Sequence, residues 1–131
     1  MQTLGMVSLL VREYDEAITY FTQALRFRLV EDTALAPNKR WVVVSPSPEG
    51  SSAGAHLLLA KASTPEQLAQ VGKQNGGRVC LFLYTSDFTN YTAHLAQQGV
   101  HFAEPPRQEA YGRVVVFHDL YGNKWDLIER P

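Results

Sequence analysis

A chain of 131 residues with 45% hydrophobic and 19% charged residues can bury one core and is too apolar for a disordered segment. Its formal net charge is −1 and no basic stripe interrupts it, so nucleic acid is not an expected partner. Cys80 is the only cysteine, which excludes an internal disulfide and a multi-cysteine metal knuckle and suits a reducing, cytoplasmic location.

The N-terminal stretch has no cationic leader pattern, and its apolar part is too short to span a bilayer, so no membrane partner is expected. Met6 to Val11, "MVSLLV", reads as a strand. From Glu13 to Arg26, Tyr14, Ala17, Ile18, Phe21 and Leu25 recur with a helical period. "FRLVED", "RWVVVS" and "AHLLLA" read as three further strands, with a loop at Pro46–Gly54 whose composition suits a flexible flap acting as a lid or, more commonly, a plain disordered hairpin loop. That loop lacks the Gly-Lys-Ser/Thr ending of a phosphate loop. Thr64, Pro65 and Gln67 mark a short connector helix to about Lys73, stopped by "QNGG".

The order then recurs. "RVCLFLY" is a strand, and Asp87–Gln98 is a helix with Phe88, Tyr91, Thr92 and Leu95 on one stripe and Gly99 as its stop. "VHFAE", "RVVVFH" and "KWDLIE" complete the set. Moving the first half forward lays Met6 on Cys80, Tyr14 on Phe88 and Phe21 on Leu95. "WVVVSP" then meets "VVVFHD", and "HLLLA" meets "KWDLI". Shared order and spacing point to a duplicated module within a single domain 1–131: residues 1–62, a connector at 63–77, and residues 78–131.

Strand alternation assigns faces. Val7, Leu9 and Val11, with Leu81 and Leu83, form apolar faces suited to helix packing. Met6, Ser8 and Leu10, with Cys80, Phe82 and Tyr84, form mixed faces suited to a cleft wall. On the last strand Trp125 and Leu127 go with the core, and Lys124, Asp126 and Ile128 with the cleft.

The entry "VREYDEAITYFTQAL-x-F", the exit "F-x-D-x-x-G-N-x-W-D" and the duplication resemble the vicinal oxygen chelate superfamily, the glyoxalase, bleomycin-resistance and extradiol-dioxygenase group. The resemblance covers nearly the whole chain. It implies an α+β fold: two tandem βαβββ modules whose sheets form an open, cupped, barrel-like surface with helices outside. It also implies a homodimer. One departure lies at Arg26, where the family often has Gly.

Metal-dependent members draw one ligand from each of four cleft strands. The matching positions here are Met6, Cys80, about Leu58, and Asp126. A thioether and a leucine do not suit a hard divalent ion, so no metal or other cofactor is expected. His56 is the reservation, since it would share a face with Leu58 and could join Cys80 and Asp126 in an unconventional divalent-metal site. The alternative is a histidine at the strand mouth, bonded to water or backbone. His94 reads as surface and His101 as rim, and the face of His118 stays open.

The candidate cleft residues are Met6, Ser8, Trp41, His56 and Leu58 in the first half, and Cys80, Phe82, Tyr84, Lys124 and Asp126 in the second. Asp126 is also the candidate catalytic group. Lys124 could neutralise it and Tyr84 could donate to it; otherwise it meets a polar or cationic ligand, or serves as a general base. The favoured reading is a metal-free binder of a small organic molecule. The alternatives are a metal-dependent lyase, isomerase or dioxygenase, and a dimeric interaction module with a vestigial cleft.

Overall fold

The structure, a computed structural model, describes residues 1–51 and 53–131; Ser52, within the expected flap, lies outside the described residues. The chain divides into two compact units, Met1–Val71 and Gly72–Pro131.

In the first unit β1 (Met6–Val11) is followed by α1 (Tyr14–Thr19), which runs on as a wider π-helical turn over Tyr20–Ala24. Then come β2 (Arg28–Ala36), β3 (Lys39–Ser45), β4 (His56–Lys61) and α2 (Pro65–Gln70). The sheet order is β1-β4-β3-β2, with β1 parallel to β4 and the other neighbours antiparallel. The second unit has β5 (Val79–Tyr84), α3 (Phe88–Gln97), β6 (His101–Phe102), β7 (Arg107–Glu109), β8 (Gly112–His118) and β9 (Lys124–Glu129). Its order is β5-β9-β8-β6, again with the first pair parallel, and β7 also pairs with β8. The two units thus share one βαβββ topology within an α+β fold. The single long β2 of the first unit corresponds to two short strands in the second. Among the described residues, no helix is long and apolar enough to cross a membrane.

The helical period of α1 exists to cover a sheet face. Ala17 and Phe21 are fully buried, as are Val42 and Val44 of β3 and Leu59 of β4, the strands against which α1 packs. In the second unit Phe88 and Leu95 of α3 play the same part, with α3 packed on β9, whose Trp125 and Leu127 are buried. Leu9, Val11 and Leu83 lie in these cores as expected, but Val7 stays 38% exposed because it opens an edge strand.

Side-chain caps fix the starts of α2 and α3. Thr64 Oγ1 accepts from Gln67 N at 3.1 Å, while Gln67 Oε1 reaches back to Ser63 N at 2.8 Å, one residue earlier than the expected capping box. α2 then ends at Gln70, short of Lys73. At α3, Asp87 caps Asn90 N, and Glu129 of β9 takes Phe88 N at 2.8 Å.

Two departures from the sequence reading have local causes. "VHFAE" is strand only over His101–Phe102. β7, by contrast, was not expected: Arg107-Gln108-Glu109 has no apolar alternation, and it is strand because a two-residue turn at Ala110-Tyr111 folds it onto Gly112–Val114.

Arg26 is the one described non-glycine residue with positive φ, at 58°. It closes the π-turn, where Phe27 N donates to Phe21 O at 2.8 Å. The left-handed conformation costs a side-chain-bearing residue about 1–2 kcal/mol. Glycine recovers that and gives back about 0.5–1 kcal/mol in unfolded-state entropy. Arg26→Gly is therefore expected to raise stability by about 0.5–1 kcal/mol in urea unfolding. A loss of stability would show that the arginine side chain holds the turn.

Candidate functional site

The last hairpin carries two buried acids with opposite environments. Asp119 is fully satisfied: Oδ1 accepts from Tyr121 N and Asn123 N, each at 3.0 Å, and Oδ2 accepts from Asn123 Nδ2 at 2.9 Å and Trp125 Nε1 at 3.0 Å. This accounts for the D-x-x-G-N-x-W spacing, in which the aspartate is a clasp and the other residues are what it holds. Gly122 supplies the positive φ, 99°, that the turn needs.

Asp126 is 8% exposed, and its Oδ1 has no hydrogen-bond partner. In register it faces Phe82 of β5 and Val116 of β8, so the three side chains share a sheet face. Burial pushes its carboxyl above the usual carboxylate range; Arg107 pulls it down and Glu104 pushes it up. Among the described residues, neither Lys124 nor Tyr84 makes a hydrogen bond or ion pair with it. The cationic neighbour is instead Arg107, on the unexpected strand β7. That guanidinium is already held by Glu104 at 3.0 Å, Glu109 at 2.7 Å and the Tyr111 hydroxyl at 3.2 Å. Around the acid, Phe82 is 58% and Tyr84 52% exposed, and Arg130 lies 4.0 Å from the Tyr84 ring centroid.

A folded-state pKa above the unfolded value means that the folded protein binds the extra proton. Asp126 contributes stability at low pH that is lost as pH rises through its raised value. The Asp126→Asn variant should lack that decline, and the difference between its unfolding free energy and wild type's, followed against pH, reads it directly. A flat difference would mean the carboxylate is hydrated.

His118 lies opposite Lys124 and His101, which places it on the Asp126 face. Its Nε2 is buried without a partner; burial, then His101 and Lys124, lower its pKa, and Asp119 acts against them. The β5–β9 ladder shifts between Val79 and Leu81, so Cys80 has no opposite residue. The half-buried thiol is pushed upward by burial and then by Asp119, which makes it a poor nucleophile.

In the first unit Met6 lies opposite His56 and Ser8 opposite Leu58. Leu58 thus has Ser8 as neighbour where Asp126 has Phe82, and the two hold equivalent places in their modules. His56 donates its backbone N–H to Gly5 O at 2.9 Å; its buried Nδ1 has no partner. A pocket of about 660 Å³ lies in this unit, with Trp41 and Leu58 in its wall. Across the neck of the expected flap, Ser47 Oγ donates to Ala53 O at 2.8 Å.

A family-type metal does not fit these residues. The four matching positions offer a thioether, a hydrocarbon, a thiol held protonated and one carboxylate. Among the described residues, no three His, Cys, Asp or Glu side chains gather where they could hold an ion.

A model of the Glyoxalase/Bleomycin resistance protein/Dioxygenase superfamily matches residues 3–127. The chain belongs to that superfamily. An uncharacterized protein of Shewanella frigidimarina (strain NCIMB 400) is 49% identical over 129 residues, covering 98% of this chain and 93% of its own. Among solved structures of similar fold, UcmS2 superposes with a TM-score of 0.81 at 25% identity, covering 98% of both chains. TnmS3, an antibiotic binding protein from Streptomyces sp. CB03234, gives 0.79 at 24% identity, covering all of this chain and 98% of its own. The superfamily resemblance read from the entry and exit motifs is thereby established. The Arg107 cluster beside Asp126 was not read from them. Its signal was the alternation of Arg107 and Glu109 ahead of Tyr111-Gly112, a polar hairpin rather than an apolar one.

Proposed function

We propose that this protein binds a small organic molecule bearing a hydrogen-bond donor, without the superfamily's usual metal. In this reading Asp126 is the anchoring group, with Phe82 and Tyr84 as apolar contacts. The carrying observation is the buried, partnerless Oδ1 of Asp126 beside two largely exposed aromatic rings. An unsatisfied buried acceptor costs about 1–3 kcal/mol, which a ligand's amine or hydroxyl would recover. TnmS3, whose fold this chain shares, is an instance in which that fold serves an antibiotic binding protein. A second reading, with Asp126 as a metal-free general base, draws on its raised pKa. A homodimer remains the expectation from the superfamily resemblance.

The test is a thermal-shift screen of amine- and hydroxyl-bearing compounds, followed by titration of each hit against wild type and Asp126→Asn. Loss of a charge-assisted hydrogen bond of about 1.5–3 kcal/mol should weaken amine-bearing hits at least about tenfold, with folding intact. Equal affinity for every hit would reduce Asp126 to a structural acid. Conversion of a bound compound by wild type but not by the variant would favour the general-base reading.

A further inference from the structure

In the first unit the ladder between β3 and β4 is shorter than its strands. Val43 pairs with Leu58 and Val44 with Leu57, and the pairing goes no further. Yet β3 extends to Lys39 alongside β2, and β4 extends to Lys61 alongside β1. The sheet therefore forks beyond Val43 and Leu58, and the pocket of about 660 Å³ fills the fork. That volume lies within the range of small-molecule sites, roughly 300–1,000 Å³.

The walls are chemically one-sided. Trp41, Leu58 and Ala60 supply apolar surface, Lys39, Arg40 and Lys61 supply cations, and no carboxylate lines the pocket. Arg40 is already neutralised, gripping Asp32 with two nitrogens at 2.7 and 3.1 Å and Asp15 at 2.8 Å. Lys61 reaches Glu13 at 3.2 Å. Lys39 makes no ion pair among the described residues, and the Trp41 indole N–H donates to no protein atom among them. The uncommitted charge of Lys39 and the uncommitted indole N–H of Trp41 thus line the same pocket as Leu58 and Ala60.

We infer that this fork is a binding site for an organic anion: a flat apolar body beside Trp41 and Ala60, with an acidic group meeting Lys39 and the indole N–H. The site belongs to the first unit, and its charge preference is opposite to that of the Asp126 face. It stands independently of the function proposed for that face.

The chain's two tryptophans make the test direct. Trp125 is 2% exposed and stacked on Phe117, so no dye can touch its ring, while Trp41 lines the pocket and reports occupancy by contact. The probes are 8-anilino-1-naphthalenesulfonate and its uncharged counterpart N-phenyl-1-naphthylamine, titrated against natively folded protein checked by near-ultraviolet circular dichroism. The sulfonate is expected to bind with one-to-one stoichiometry, quench Trp41 emission, and bind at least about tenfold tighter than the amine. Lys39→Glu should weaken the sulfonate by about five- to tenfold and leave the amine unchanged, and Trp41→Phe should abolish the quenching. Equal affinity for the two dyes, or an unchanged sulfonate affinity in Lys39→Glu, overturns the inference. A sulfonate signal lost in Asp126→Asn would also overturn it, by locating the dye on the other unit. Loss of the amine-bearing hits in that variant bears only on the Asp126 proposal.

Discussion

Replacing Asp119 with alanine is expected to cost about 3–5 kcal/mol, enough to unfold much of a small protein at 37 °C. The side chain accepts four hydrogen bonds from three residues, and two of those donors are the buried side-chain groups Asn123 Nδ2 and Trp125 Nε1. Each buried donor left unsatisfied costs about 1–3 kcal/mol. Alanine also abandons Trp125, which is packed face to face on Phe117 with ring centroids 5.6 Å apart. Asp119→Asn should cost less, because its remaining oxygen can still serve either the two backbone N–H groups on Oδ1 or the two side-chain donors on Oδ2. Urea unfolding followed by tryptophan emission gives both values. A loss below about 1 kcal/mol for the alanine variant would mean that water takes over the clasp.

Gly72→Ala should be of similar severity for a different reason. Gly72 has φ +83°, and an added Cβ would sit 2.8 Å from the Tyr121 carbonyl carbon and closer still to its oxygen. Both atoms are backbone, so no side chain can swing aside. The left-handed conformation alone costs about 1–2 kcal/mol, and the overlap forces the turn apart, so a total above about 3 kcal/mol is expected. Gly76 is the internal control: its φ is +64°, and an added Cβ there meets nothing within 4 Å. Gly76→Ala should cost only the conformational part. Equal losses in the two variants, compared in the same denaturant series, would remove the steric argument.

The order of elements was legible because each long element carries a clean period. α1 and α3 repeat their apolar residues every three or four positions, and β3, β4, β8 and β9 are apolar runs between turn residues. β7 was not legible, since its side chains face one another and solvent instead of a core. With it went Arg107, and so the cation beside Asp126 was sought at Lys124, on the same strand, instead of two strands away. The bulge at Cys80 escaped for a related reason: a shift in register belongs to the pairing, not to either strand. The fork beside Trp41 is a third case. "RWVVVS" and "HLLLA" each read as a strand, but nothing in either run says where their pairing stops.

Asp119 fixes more than its own turn. By gripping Asn123 and Trp125 it locks the origin of β9, and Asp126 is the next residue on a strand hydrogen-bonded along both edges. A ligand at Asp126, as proposed, would meet a backbone already held on both sides, so no segment need freeze when it arrives. Association there should be fast, and its entropy should reflect shed water rather than a stiffened chain.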